Sequence, residues 1–337
     1  MTRQAAIAAL VILASAAQTP APVQAQSPSG PSFDCAKASN PVERAICGNA
    51  GLAAADRILG SAYATLLGRL DRDAREHLEK DQVRWIADRN VACAGGTREI
   101  EACLKDRYRT RRSLLAASAV APYPFVSEHA LIKRGKVKAT SYLIDARYPA
   151  FDAPSANFAA ANKFFADMAT TGADDAMPDG DIRADDARTY SYDQSFELFR
   201  PTARTVSVET HDYRFTGGAH GNGGTLGALV DLQSGRLVRP DEIFAGEDWR
   251  RILRETVTAD LKKQFVERPG FDDALEPAKM DKRLSDPGHY VWRPDRLELV
   301  FNHYDVAAYV MGAYRVVIPY AQLRALLKSD GPLAGMR

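Results

Sequence analysis

The sequence has little with which to hold nucleic acid, a membrane or a catalytic metal. Its 44 Lys and Arg are balanced by 43 Asp and Glu, leaving a formal net charge of +1. Neither a basic excess for phosphate nor an acidic tail for a basic partner is present. Beyond the N-terminus no apolar run approaches the roughly 20 residues needed to span a bilayer. There is no G-x-S-x-G elbow, H-E-x-x-H, phosphate-binding P-loop or dinucleotide fingerprint after a strand. Glu298 and Asp305 stand near aromatics in the sequence, but any chain this charged has such carboxylates, and no paired-acid signature emerges. The chain therefore reads as a binding protein rather than an enzyme, with no cofactor. Cysteine is scarce as well: Cys35, Cys47, Cys93 and Cys103 are the only four, all near the N-terminal end. Their spacing of 12, 46 and 10, without any C-x-x-C, is poor for zinc.

What is present begins at the N-terminus. Arg3 supplies a short positive region, Ala5 to Ala17 an apolar one, and Val23-Gln24-Ala25 a small-x-small cleavage site. This is the pattern of a secretory signal peptide over residues 1–25, with a mature chain from about Gln26. It predicts an exported protein, periplasmic or extracellular, and an even cysteine count in an exported domain predicts disulfides. Four cysteines allow three connectivities. Cys35–Cys47 with Cys93–Cys103 closes the short loops and is favoured.

Length suggests two domains, because single cores stop growing near 250 residues or so. Residues 33–118 read as helical. Asn40-Pro41-Val42-Glu43 is a helix start, with Asn as N-cap and Glu three residues on. Leu52, Ala55, Leu59, Ala62, Leu66 and Leu70 form one apolar stripe. Ala74, Leu78, Trp85 and Ile86 form a second, and Ile100, Leu104, Tyr108, Arg111 and Leu115 a third. Residues 119–133, with Pro122 and Pro124, read as a linker. From residue 134 to 330 the pattern turns to strands. Expected are a strand Val137 to Tyr148, a short helix carrying Phe158 and Phe165, an acidic loop from Thr170 to Asp186, and strands at 190–199 and 204–214. A hairpin about Gln233-Ser234-Gly235, a helix at about 247–266, strands at 296–302 and 314–318, and a final helix Pro319 to Lys328 complete the reading. The fold class is α+β: a small disulfide-stapled helical bundle followed by an α+β domain with a mainly antiparallel sheet.

Two segments are candidates for recognition. Gly217-Gly218-Ala219-His220-Gly221-Asn222-Gly223-Gly224 permits tight turns, lets another backbone approach closely and presents His220. A strand follows it, which disfavours phosphate cradling. Phe301-Asn302-His303-Tyr304-Asp305-Val306-Ala307-Ala308-Tyr309 is aromatic and polar by turns, lies between two strands and suits a wet recognition surface. The candidate binding residues are Gly217, Gly218, His220, Gly221, Asn302, His303, Tyr304 and Asp305, and packing of the sheet ends is the competing role. His211, His220, His289 and His303 follow no metal-ligand spacing, so no metal is expected.

Phe33-Asp34-Cys35, Glu43-Arg44-Ala45-Ile46-Cys47, Trp85 to Cys93, and Cys103-Leu104 with Tyr108 resemble the domain named after the lysozyme inhibitor LprI. The second half resembles the extracytoplasmic domain of the RsiV anti-sigma factor, also found beside a polysaccharide deacetylase domain. That resemblance rests on Ser141 to Asp145 with Tyr148-Pro149, Gly217 to His220, Asp231-Leu232 with Ser234-Gly235, Tyr304 to Ala307 with Gly312, and Val317 to Tyr320. Both resemblances imply a lysozyme-class partner. The expected function is an exported cell-envelope protein that binds or inhibits lysozyme-like muramidases. The alternatives are an accessory envelope protein that binds cell-wall glycan or another protein, and last a cell-wall hydrolase.

Overall fold

The computed structural model describes residues 30–94, 99–153, 156–179 and 188–336. The expected signal peptide at 1–25 lies outside the described residues. Four helices come first: α1 (Pro41–Gly48), α2 (Ala50–Leu67), α3 (Arg72–Ala94) and α4 (Ile100–Ser118). Asn40 caps α1 by accepting from the Glu43 amide at 2.9 Å, and the Glu43 carboxylate reaches back to the Ser39 amide at 2.8 Å. Val42, Ile46, Leu52, Leu59, Leu66, Leu78, Trp85, Leu104, Tyr108 and Leu115 close one core. Trp85 is 1% exposed while Ile86 is 37% exposed, because a neighbour on a helix points about 100° away and only one of the two can face inward. Disulfides Cys35–Cys47 and Cys93–Cys103 staple the bundle as the loop lengths suggest.

The chain then forms β1 (Val126–Val137) and β2 (Thr140–Phe151), which pair as an antiparallel hairpin. Strand β1 thus begins inside the stretch expected to be a linker, and β2 runs through Pro149, opposite Glu128. The strand was hidden because its burial does not alternate and its far end is cationic. The residues just before it are also held. The Arg200 guanidinium donates to the carbonyls of Ala117, Val120 and Pro122.

Helix α5 (Ala159–Asp175) follows, longer than its sequence pattern predicts. Residues 170–175 belong to it and not to an acidic loop, because Ala169, Ala173 and Ala176 continue the buried stripe. Gly172 is required there: a Cβ would stand 2.1 Å from the Tyr192 hydroxyl. The rest of the sheet is β3 (Thr189–Phe199), β4 (Thr205–Phe215), β5 (Asn222–Asp231) and β6 (Arg236–Leu237). Strand order is β1-β2-β3-β4-β5-β6, and only β2–β3 is parallel. The short α6 (Pro240–Ile243), α7 (Trp249–Gln264) and α8 (Pro277–Ser285) precede a second, antiparallel sheet of β7 (Tyr290–Trp292), β8 (Arg296–Phe301) and β9 (Tyr314–Pro319). A single turn, α9 (Tyr320–Leu323), and a 3₁₀ turn at Arg324–Leu326 stand where a longer final helix was expected.

One face of the six-stranded sheet is apolar. Phe196, Val206, Val208, Ala228 and Val230 bury it against Phe158, Ala161 and Phe165 of the α5 segment. The opposite face is polar and carries two covers. The helical bundle covers β1 to β3, and the three-stranded sheet covers β4 and β5. Gly227 lets the sheets touch, since a Cβ there would lie 1.9 Å from the Tyr290 carbonyl oxygen.

Ion pairs join the bundle to the sheet. Arg107 on α4, fully buried, donates to Asp145 at 2.5 Å and Glu128 at 3.3 Å. Arg147 on β2, equally buried, pairs with Asp106 on α4 and donates to Thr110 Oγ1 at 3.1 Å. Arg293 and Arg315 tie the second sheet down through Glu209, 1% exposed. Such charges are stable in the interior only because each has a partner.

Candidate binding site

The β4–β5 hairpin turns through Gly217 (φ 87°) and Gly218 (φ 98°), a left-handed backbone that glycine adopts without a Cβ penalty. Gly221 and Gly223 serve differently: both lie under the Tyr213 ring, and a Cβ on Gly221 would come 2.4 Å from its outer atoms. From the other sheet, the loop after β8 meets this hairpin. The Asn302 side chain accepts from the Thr225 amide and donates to the Thr225 carbonyl, both at 2.8 Å. Asp305 accepts from the Asn302 amide at 2.6 Å, which bends the loop. Tyr304 sits at the bend with φ 69° and is 56% exposed.

Tyr309 joins the two segments. Its hydroxyl donates to the Gly221 carbonyl at 2.8 Å. The His220 ring stacks on it at 4.0 Å and the His303 ring at 4.4 Å, with Tyr304 at 5.8 Å. His220 Nδ1 lies 2.8 Å from the Gly221 carbonyl, and His303 Nδ1 lies 3.2 Å from the Gly223 carbonyl. A carbonyl only accepts, so both Nδ1 atoms carry hydrogen. In the neutral rings Nε2 is then left as an acceptor. The arrangement is an aromatic edge on which His220 and Tyr304 are exposed, suited to holding a partner's polar groups and apolar surface together.

The structure thus brings together the two segments singled out in the sequence. His220, His303 and Tyr304 form the edge, Gly217 and Gly218 make the turn, Asn302 and Gly221 knit the loops to each other, and Asp305 bends its own loop. Tyr309, the centre of the stack, lies in the segment singled out in the sequence but was not among its candidate binding residues. Its signal was its place at the end of the aromatic and polar run from Phe301. His211 and His289 stand elsewhere. His211 bonds Thr225 Oγ1 at 3.1 Å, and burial pushes its pKa down against the pull of Glu209. His289 bonds the Val300 carbonyl at 2.6 Å. Among the described residues no three His, Cys, Asp or Glu side chains are grouped to hold a metal ion, and no helix is long and apolar enough to cross a membrane.

Comparison with known proteins divides the chain. A segment is 25% identical over 136 residues to the peptidoglycan-N-acetylmuramic acid deacetylase PdaC of Bacillus subtilis, covering 40% of this chain and 29% of that protein. The chain therefore spans under a third of that relative. Two solved structures, each 16% identical with a TM-score of 0.42, are DUF3298 family proteins from Pseudomonas aeruginosa and Bacteroides fragilis. They cover 60% and 64% of this chain and 94% and 98% of their own. Residues 241–321, from α6 through the Asn302–Tyr309 loop to β9, match a family described as a protein of unknown function, DUF3298. Residues 35–115, holding the four helices and both disulfides, match the family described as lysozyme inhibitor LprI.

Proposed function

We propose that this is an exported cell-envelope protein that binds, and by binding inhibits, a lysozyme-class muramidase. The observation that carries the reading is the match of the disulfide-stapled bundle to the LprI family. Two disulfides fit an oxidising compartment, in agreement with the leader read at residues 1–25. We assign the RsiV-like second half the larger share of the contact, through His220, His303, Tyr304 and Tyr309. Fixed aromatic side chains lose little entropy on binding and are frequent interface anchors. A standard interface needs about 800 Å² from each partner, so neighbouring loops contribute too.

A second reading is favoured by the similarity to PdaC: an accessory protein, or a hydrolase, acting at cell-wall glycan. The two separate in one experiment. The disulfide-bonded protein is incubated with a panel of lysozymes, and separately with peptidoglycan. Calorimetry and lysozyme activity report the first; released acetate or sugar fragments report the second. Binding to a lysozyme with no turnover of peptidoglycan supports our reading. His220→Ala and Tyr304→Ala should each weaken that binding roughly 30-fold, the scale of an interface hot spot, at an unchanged thermal midpoint. Absence of binding to any lysozyme, with their activity intact, removes it in favour of the second.

A further inference from the structure

On the polar sheet face, beside the helical bundle, lies a cleft of roughly 910 Å³. Helix α4 forms one wall, with Lys105, Asp106 and Arg109, and the strands β3 and β4 form the other. We propose that this cleft is a second binding site, distinct from the aromatic edge, and that its ligand is a neutral oligosaccharide.

Its polar groups are set for hydroxyls. Ser195 is 6% exposed, lines the cleft, and its hydroxyl has no hydrogen-bond partner among the described residues. Beside it across the strands is His211. One ring nitrogen of His211 is held by Thr225 Oγ1, while the other lies 3.7 Å from Glu209, beyond hydrogen-bond length. Burial disfavours the charged form of that imidazole and lowers its pKa, and a neutral ring has one donor and one acceptor. A sugar hydroxyl, which donates and accepts, satisfies both groups.

The charges exclude an anion. Arg109 is engaged by Asp106 and, at 2.8 Å, by Glu197, and Lys105 pairs with Glu101 at 2.6 Å. A phosphate or carboxylate entering here meets cations already neutralised, next to Asp193 and Asp106. An apolar ligand would bury Ser195 and His211 unpaired, which is costly.

The rim supplies the apolar half. Tyr213 is 48% exposed and lines the cleft. Its ring is backed by Gly221 and Gly223, where a Cβ would approach it to 2.4 Å and 3.3 Å. The glycines thus fix an aromatic plate beside the hydroxyl-binding groups. A pyranose has that same division, with C–H groups on a face and hydroxyls around its edge. The volume lies in the range of small-ligand sites.

The test titrates the disulfide-bonded protein with maltotriose, cellotriose and chitotriose, followed by calorimetry and saturation-transfer NMR. At least one trisaccharide should bind with Kd below about 1 mM. Ser195→Ala and Tyr213→Ala should each weaken it about fivefold or more, while Tyr213→Phe, which keeps the ring, binds like the parent. Tyr304→Ala, on the aromatic edge, should leave sugar affinity unchanged. If Tyr213→Ala lowers the thermal midpoint, Ser195→Ala and Tyr213→Phe decide alone. No binding of any trisaccharide at about 10 mM, or binding that survives both Ser195→Ala and Tyr213→Ala, overturns the proposal. Either result leaves the muramidase reading untouched, since that rests on different residues.

Discussion

Replacing Arg107 with Met tests whether the bundle and the sheet are one cooperative unit. Arg107 is fully buried and faces two carboxylates of the sheet half, Asp145 at 7% exposure and Glu128 at 2%. The intact cluster is not a large net stabiliser. Glu128 Oε2 and the Nε atoms of Arg107 and Arg147 have no partner, and desolvation offsets much of the attraction. Removing one member is another matter, because the carboxylates left behind stay buried. Breaking a buried pair costs about 3–5 kcal/mol, which for a chain of this size lowers the thermal midpoint by roughly 5–15 °C. The deficit depends on pH. Burial raises the Glu128 pKa, against the pull of Arg147, Arg107 and Arg111, and losing Arg107 raises it further. A carboxyl raised in the folded state contributes stability below its unfolded pKa and loses it as pH rises through the folded value. The difference between parent and variant should therefore widen as pH rises above the ordinary glutamate pKa of about 4.3. Denaturation followed by far-UV circular dichroism and by Trp fluorescence measures it. A loss under about 1 kcal/mol at neutral pH, or two separate transitions in the parent, refutes the reasoning.

Three further outcomes are expected. Unreduced, unfolded protein should show no thiol that labels, and reduction should cost about 3 kcal/mol for each short loop released, measured as a shift in denaturation midpoint. Limited proteolysis should spare residues 119–126, because the Arg200 guanidinium clamps the carbonyls of Val120 and Pro122 and β1 starts at Val126; early cleavage there would show that clamp to be weak. Gly227→Ala should destabilise by about 1–3 kcal/mol or more, as overpacking does, since its Cβ would meet the Tyr290 carbonyl, while Gly218→Ala meets no neighbour and carries only the strain of its positive φ.

The helical half was legible because its signals are local. Caps such as Asn40, stripes such as Leu52–Leu59–Leu66 and closely spaced cysteines all lie within a few turns of chain. The sheet half was legible only in class. Strand β1 shows no clean alternation, because α3 and α4 pack on one end while its other end is open to solvent. Arg107 and Arg147 look like surface residues in the sequence, and only their partners 21 to 41 positions away explain their burial. At the candidate site, the glycine run and the Asn302 to Asp305 segment stood out by composition. Their junction did not, since the Asn302–Thr225 contact spans 77 positions. Tyr213 was hidden for the same reason: its value comes from the glycines across the hairpin.

The parallel pairing of β2 with β3 also bears on the order in which the chain can assemble. Hairpin β1–β2 and hairpin β3–β4 each form from neighbouring segments, but β2 must wait for α5 and the stretch beyond it before β3 arrives. A parallel partner needs a crossover, and loop closure makes that step slow. During the delay β2 presents an unpaired edge through Leu143 to Ala146, with Ile144 and Ala146 destined for full burial. An open apolar edge of this kind is where a nascent chain joins to the wrong copy. Refolding yield should fall with protein concentration most steeply in the interval before β3 docks, and a chain cut before Thr189 should aggregate rather than fold.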